Sequence, residues 1–189
     1  MALVAPLVAV GLGLSVLAAG PAVSDSTPIR LAPRSNLFLT IDHMALQRME
    51  HVGIVVDDLA AATEFFVDLG LELQGTASLD DRSVDRIVGL EGVRTEVAMM
   101  QTPDGDGRLE LVKFLSPSHQ GDNRDAPANT PGLRHLAFVV QDIHAVVARL
   151  RDGGAGLVGE LENYKDSYWL CYVRGPEGII IELAERIHS

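Results

Sequence analysis

The sequence predicts an α+β fold made of two tandem β-α-β-β-β modules, and three observations support this prediction. First, residues 49–75 are repeated as residues 133–159 without a gap. Second, each copy has an apolar, β-branched run directly behind a histidine, which is typical of a buried strand. Third, an aspartate follows each run and begins a stretch with helical spacing. Such a repeat indicates that one supersecondary unit is built twice.

Start and stop signals define one helix in each half. Asp58 and Asp142 occupy N-cap positions ahead of residues that recur at helical spacing. Gly70 in the first half and the pair Gly153-Gly154 in the second supply the glycine that commonly ends a helix. Three strand-like runs then complete the β-α-β-β-β order. These runs cover residues 71–79, 94–101 and 108–114 in the first half, and residues 157–161, 167–174 and 178–183 in the second.

Composition divides the chain into four parts. Residues 1–46 form an N-terminal extension that is leader-like or disordered. Residues 116–131 are rich in Ser, Pro, Gly, Asp and Asn, which is typical of a linker. This linker separates a first module, residues 47–115, from a second, residues 132–189. The first module carries an extra segment, residues 79–92, whose apolar spacing predicts a short helix.

The N-terminal extension leaves two localisations open. Residues 2–19 are uncharged and apolar, like a signal-peptide core or a marginal membrane span, yet no Lys or Arg precedes them. Met44 and Met49 both lie just ahead of the first strand, and a start at either would yield a compact domain without a leader. We therefore expect a cytoplasmic protein. The alternative is export or membrane anchoring through residues 1–20.

The charge balance argues against polyanionic partners. With 26 acidic and 15 basic residues, the chain has a formal net charge of -11 at pH 7, which repels nucleic acids and anionic lipid surfaces. We therefore expect a small-molecule substrate and no nucleic-acid partner. The single cysteine, Cys171, has no cysteine partner for an internal disulfide and lies in an apolar run, so we expect it to fill the core.

Four residues recur in a pattern that favours a metal site. His51 and His135 precede the first strand of each half, and Glu110 and Glu182 stand alone in the apolar last strands. Taken singly, each fits a hydrogen-bonded core histidine or a solvent-facing glutamate. Their recurrence in both halves instead favours one shared site. Two imidazoles and two carboxylates suit one divalent ion of Zn, Ni, Co, Fe or Mn, with open positions for water or substrate.

The motifs around these residues resemble a known superfamily. The segments "MEHVGIVVDDLAAATEFF", "GRLELVKF", "GLRHLAFVVQDI" and "GPEGIIIELAE" are similar to those of the vicinal oxygen chelate proteins, which include glyoxalase I, bleomycin-resistance proteins, extradiol dioxygenases and methylmalonyl-CoA epimerase. The resemblance implies paired modules that form an open, barrel-like mixed sheet around the metal, with the four residues above as ligands. It allows a site within one chain or a site shared across a homodimer.

The resemblance also implies an activity. It predicts a metal-dependent, glyoxalase-like isomerase or lyase that acts on a small α-hydroxy- or α-keto-carbonyl substrate through an enediolate-like intermediate. Glu110 matches the glutamate of glyoxalase I, where the epimerase has glutamine and extradiol dioxygenases use no ligand. Two alternatives remain: an extradiol-type dioxygenase, and a non-catalytic resistance protein that binds a drug or metabolite through the metal.

Two glutamates are candidate catalytic groups. A terminal-strand ligand such as Glu182 can leave the metal to act as general base, and we expect its neighbours Ile181 and Leu183 to limit its solvation. The run "GVRTEVAMM" resembles the epimerase segment that carries a second catalytic acid, which matches Glu96 here. The alternative for Glu96 is a solvent-facing strand residue.

A cluster of large side chains marks the middle strands of the second half. We expect these residues to serve in packing, with a wall of the substrate pocket as the alternative. The cluster comprises Tyr164, Tyr168, Trp169 and Arg174.

Overall fold

The computed structural model describes residues 48–119, 121 and 124–187. These residues form two β-α-β-β-β modules, each with its own open sheet. The predicted α+β class is confirmed, and the strands form two open sheets rather than a closed barrel. The predicted extension, residues 1–46, lies outside the described part of the chain. The structure therefore does not test whether it is leader-like or disordered.

The first module contains six elements. They are β1 (Val52–Val55), α1 (Leu59–Leu69), β2 (Glu72–Leu79), α2 (Arg82–Val88), β3 (Arg94–Gln101) and β4 (Arg108–Ser116). The strands are ordered β1-β4-β3-β2, with β1 parallel to β4 and the other neighbours antiparallel. Helix α2 confirms the short helix predicted in the extra segment.

The second module repeats this plan. Its elements are β5 (His135–Val139), α3 (Ile143–Asp152), β6 (Gly156–Leu157), β7 (Glu162–Tyr164), β8 (Tyr168–Arg174), a 3-10 turn (Pro176–Gly178) and β9 (Ile180–Arg186). The strands are ordered β5-β9-β8-β6, and β7 also pairs with β8. As in the first module, the first strand runs parallel to the last, since β5 is parallel to β9.

The predicted helix signals are confirmed. The Asp58 side chain accepts a hydrogen bond from the Ala61 backbone N–H at 3.0 Å, so one otherwise unpaired donor of the first turn of α1 is satisfied. At the other end, Gly70 adopts a left-handed conformation with φ of 118°. In α3, Asp142 caps the first turn in the same way and Gly153 follows the last residue.

Each sheet has one face covered by a helix and one open face. Strand alternation buries Leu109 and Leu111 on the helix side of β4 while Glu110 between them stays half-buried on the open side. The same alternation in β9 buries Ile181 and Leu183. The buried side chains form one cluster across both modules, which includes Phe66, Leu69, Met100, Val146, Leu150, Cys171 and Val173.

The second module differs from the prediction at its second strand. The run expected at residues 157–161 is interrupted, and the short strands β6 and β7 both pair with β8 instead. Leu157 lies opposite Val173 and Glu162 lies opposite Leu170, so the partner strand has fewer residues over this stretch. The extra residues cannot stay in the ladder and form a bulge. The first module has a smaller register shift at the repeat-equivalent Gly75.

Several contacts join the two modules next to the N-terminus of α1. The Glu177 Oε1 atom on the 3-10 turn accepts hydrogen bonds from the backbone N–H groups of Asp57 and Asp58, at 3.2 and 3.1 Å. Arg124 forms ion pairs with both acids, at 3.0 Å to Asp57 and 3.1 Å to Glu177. Gly175 packs against the Phe65 ring of α1. The first and second modules therefore share a junction as well as a core.

Domain limits at residues 47–115, 116–131 and 132–189 stay predictions, although β4 ends at Ser116 and β5 begins at His135.

Within the described ranges, no helix is long and apolar enough to span a bilayer. A cytoplasmic location likewise stays a prediction.

Candidate metal centre

The first module brings His51 and Glu110 together. His51 directly precedes β1, and the parallel pairing of β1 with β4 places Gly53 opposite Glu110. Because residues two apart on a strand lie on the same face, His51 also points to the open face of the sheet. His51 Nε2 lies 3.4 Å from Glu110 Oε2, and both side chains are about one-third exposed.

The second module builds an equivalent pair. His135 begins β5, and Ala137 two residues later lies opposite Glu182 on β9. His135 Nε2 lies 3.2 Å from Glu182 Oε2. In each module, the predicted histidine therefore lies next to the predicted glutamate, on the open face of the sheet.

The separation within each pair fits two ligands of one metal ion. An ion bonded to a nitrogen and an oxygen at about 2.1 Å each, with about 90° to 110° between the bonds, separates the two atoms by about 3.0 to 3.4 Å. The structure has 3.4 Å in the first pair and 3.2 Å in the second. An imidazole lone pair and a carboxylate are both electron-pair donors, so a metal ion between the two atoms would be bound by both.

The two pairs do not combine within one chain. In the part of the chain that the structure describes, no three His, Cys, Asp or Glu side chains are close enough to hold one metal ion. Within one chain, the four predicted ligands therefore form two half-sites, each with one histidine and one glutamate. The first half-site is His51 with Glu110, and the second half-site is His135 with Glu182.

The first half-site has a carboxylate behind its histidine. Glu50 accepts a hydrogen bond from His51 Nδ1 on the side of the ring away from Glu110. Arg108 Nη1 on β4 donates to Glu50 Oε1 at 2.5 Å. The hydrogen bond from His51, reinforced by the Arg108 guanidinium, lowers the pKa of the Glu50 carboxyl below its usual range. Sequence reasoning missed Glu50, although its position directly before a ligand histidine was a usable signal.

The second half-site has an aromatic neighbour instead. The Tyr172 ring centroid lies 5.0 Å from that of His135, and Tyr172 is the β8 residue opposite Glu182. Sequence reasoning missed Tyr172 because it lies outside the aromatic cluster singled out. Only the pairing register of β8 with β9 places it beside both candidate ligands.

The members of the predicted aromatic and basic cluster have different surroundings. Trp169 packs on the helix side of the sheet, with its ring 5.4 Å from that of His144 on α3. Arg174 donates hydrogen bonds to the carbonyl oxygens of Arg124 and Ala126, at 2.9 and 3.0 Å, and so holds the segment between the modules. Tyr164 and Tyr168 are exposed.

Glu96 lies on the face of the first sheet opposite to Glu110. Met99 is the β3 residue paired with Glu110, and Glu96 is three positions away along an unshifted stretch. An odd separation on a strand reverses the face, so Glu96 points to the helix-bearing side. It lines a cavity there together with Leu59 of α1. This placement favours the alternative of a non-catalytic strand residue, and the catalytic role of Glu96 stays an unsupported prediction.

The expected surroundings of Glu182 also need correction. Ile181 and Leu183 are fully buried on the opposite face of β9, because successive strand residues alternate in direction. They therefore do not surround the carboxylate. Its neighbours on the open face are His135 and Tyr172.

A cavity of about 530 Å³ lies at the far end of the first sheet's open face. Phe114 lines it and shares a strand and a face with Glu110, four residues away. Apolar side chains of Val55 and Leu90 contribute to the walls, and His119 adds a polar group. Such a mixture is typical of a small-molecule pocket.

Comparisons with known proteins agree with this architecture. Residues 48–183 match the family model of the glyoxalase/bleomycin resistance protein/dioxygenase superfamily. The uncharacterized protein YwbC of Bacillus subtilis is 29% identical over 143 residues, which cover 74% of this chain and 98% of that protein. Ethylmalonyl-CoA/methylmalonyl-CoA epimerase of Cereibacter sphaeroides is 29% identical over 116 residues, which cover 61% of this chain and 77% of the epimerase.

A solved structure extends the comparison to three dimensions. The crystal structure of a glyoxalase family protein from Bacillus cereus is 45% identical in sequence and superimposes with a TM-score of 0.76. The match covers 79% of this chain and 100% of that chain. The family match spans both modules and both half-sites. The chain belongs to the glyoxalase/bleomycin resistance protein/dioxygenase superfamily.

Proposed function

We propose that this protein is a metal-dependent isomerase or lyase of the glyoxalase type, acting on a small α-hydroxy- or α-keto-carbonyl compound. The observation that carries the proposal is the pair of equivalent half-sites, in which the nitrogen-to-oxygen separations of 3.4 and 3.2 Å suit two ligands of one divalent ion. The metal's identity is left open, because nitrogen and oxygen ligands of this kind accept Zn, Ni, Co, Fe or Mn.

We further propose that two copies of the chain complete each site. One half-site supplies only two ligands, whereas catalytic metal centres commonly use three or more protein ligands. In a two-fold symmetric homodimer, the first half-site of one copy would meet the second half-site of its partner, and the symmetry would repeat this contact. Such a dimer would hold two ions, each bound by two histidines and two glutamates.

The chain's own residues would have different roles in the reaction. A bound divalent ion would act as a Lewis acid on the oxygens of the substrate. Glu182 would take a proton from the carbon next to the carbonyl and return one to the product. His51, Glu110 and His135 would stay in place as ligands, and Tyr172 would form a wall beside the reacting carbon.

A mixed dimer tests whether the site is shared. We would co-express a His51→Ala chain and a His135→Ala chain with different tags that bind no metal, and isolate the mixed dimer. In a shared arrangement, both defects fall in one site and the other site is intact. We therefore expect about one tightly bound ion per mixed dimer and almost none in either homodimeric variant. Equal loss in all three samples, or a monomeric wild-type protein, would exclude the shared site.

Isotope exchange tests the reaction class. A panel of α-hydroxy- and α-keto-carbonyl compounds, including thiol adducts and thioesters, would be incubated with metal-loaded protein in deuterated water. We expect deuterium to enter the carbon next to the carbonyl of at least one compound, detected by NMR. Oxygen uptake at an oxygen electrode would indicate ring-cleaving dioxygenase chemistry instead. Binding without exchange or oxygen uptake would indicate a protein that sequesters its ligand.

A further inference from the structure

We propose that Glu50 and Arg108 are positioning residues that hold the His51 imidazole ready for a metal ion. The inference rests on the proposed function, since it assigns a support to one of the proposed ligands. Three successive contacts support it. Arg108 on β4 contacts Glu50, Glu50 contacts His51, and His51 faces Glu110, which also lies on β4.

The contact between Glu50 and His51 selects one tautomer. An ionised carboxylate accepts hydrogen bonds and donates none, so the His51 Nδ1 atom facing it must carry the hydrogen. In the neutral ring, the lone pair then lies on Nε2. That atom faces Glu110 Oε2 at 3.4 Å. The hydrogen bond therefore places the metal-binding lone pair on the side of the other ligand.

Glu50 is itself held from β4. Arg108 Nη1 lies 2.5 Å from Glu50 Oε1, and the Arg108 side chain is only 25% exposed. Arg108 precedes Glu110 by two residues on the same strand, so the two side chains lie on the same face. Arg48 also approaches Oε1, but at 3.9 Å and with a side chain that is 69% exposed. Arg108 is thus the fixed partner, and Arg48 is a loosely held one.

The second half-site lacks this support. In the repeat, the residue equivalent to Glu50 is Arg134, which donates to the Ala126 carbonyl oxygen at 3.1 Å. No hydrogen bond to His135 Nδ1 is found among residues 48–119, 121 and 124–187; the ring packs against Tyr172 instead. The two halves of the repeat have therefore diverged behind their histidines. The His51 ring is supported by Glu50 at Nδ1, whereas the His135 ring packs against Tyr172 instead.

Metal affinity measured by competition with a chromophoric chelator tests the inference, with Zn²⁺ as the probe. We expect Glu50→Ala to weaken binding about 10- to 100-fold, the usual effect of losing an outer-shell partner of a ligand. Glu50→Gln should restore part of the affinity, because the amide oxygen still accepts from Nδ1 while the amide NH₂ group cannot accept from Arg108. Arg108→Ala should also weaken binding, whereas the matched control Arg48→Ala should not. Wild-type affinity in both Glu50→Ala and Arg108→Ala would overturn the proposal.

A second readout needs no metal. Nitrogen-15 NMR of the His51 ring at about pH 8.5, where an ordinary imidazole is neutral, reports which nitrogen carries the hydrogen. We expect the Nδ1–H form in the wild-type protein and a mixture in Glu50→Ala; the same tautomer in both would overturn the proposal. If the wild-type protein binds no metal, the proposed function fails, and this readout still decides the role of Glu50.

Discussion

At the scale of single residues, the two glutamates of the half-sites are alike in geometry but differ in their surroundings. Glu110 faces His51, which donates a hydrogen bond to Glu50. Glu50 in turn accepts from Arg108, which lies on β4, the strand that carries Glu110. Glu182 faces His135, whose ring packs against Tyr172. With a metal ion bound as proposed, a carboxylate next to a less constrained histidine would move away from the ion more easily. This difference supports Glu182 rather than Glu110 as the proton-transferring group.

Replacing each glutamate by glutamine separates binding from proton transfer. An amide oxygen still coordinates a metal but takes up no proton at neutral pH. We expect Glu182→Gln to lower kcat by about 100-fold or more while metal binding is largely kept. Glu110→Gln should lower kcat by less than about tenfold. Both are compared by kcat at equal metal occupancy, and equal losses would contradict the assignment of the base to Glu182.

At the scale of elements, the end of β8 makes one close contact with α1. Gly175 follows β8 and presses directly on Phe65, a buried residue of α1. A Cβ atom built at Gly175 would lie 2.6 Å from Phe65 Cζ. Through this contact, α1 of the first module packs against the second module.

Gly175→Ala therefore tests the junction. The buried Phe65 ring has to shift, and overpacking of this kind costs about 1 to 3 kcal/mol. We expect the free energy of unfolding to fall by that amount in urea denaturation. Gly156→Ala on β6 is the matched control, because an added Cβ there meets nothing within 4 Å. Its effect should stay within about 0.5 kcal/mol. Similar values for both variants would mean that the junction tolerates the extra atom.

At the scale of the whole molecule, Cys171 reports on the integrity of the shared core. It is the only cysteine in the chain, and its side chain is buried in the cluster that spans both modules. Burial disfavours the charged thiolate and raises the pKa of the Cys171 thiol to about 11. Reaction at this thiol therefore requires that the core opens.

Two measurements follow from this burial. Alkylation at pH 8 should be slower in the folded protein than in urea by about 1,000-fold or more, since only opened molecules react. The Cys171 thiol has a higher pKa in the folded protein than in the unfolded chain, so only the unfolded chain ionises between these two values. We therefore expect the free energy of unfolding to be unaffected below pH about 9 and to fall by up to about 2 to 3 kcal/mol as the pH rises to about 11. Cys171→Ala should remove this alkaline loss. Rapid alkylation of the folded protein would show that the core is open at this position.

Much of the fold was predictable from the sequence because its signals are local. Asp58 and Gly70 delimit α1 through hydrogen bonds within a few residues, and such bonds depend little on the rest of the chain. The repeat also predicted which four residues are candidate ligands, and the structure brings His51 to Glu110 and His135 to Glu182. The interrupted second strand was missed because a bulge depends on the partner strand.

The sequence by itself determined the α+β modules and the four candidate ligands, whereas their grouping into two pairs came from the structure. Only the tertiary structure decided three further points. Pairing register turned Glu96 away from the open face, and the packing of strand ends brought Arg108 to Glu50. The separation of the two half-sites depends on how the two modules pack against each other through α1, α3 and the 3-10 turn. These features arise from contacts between residues far apart in the chain, which periodicity and spacing do not encode.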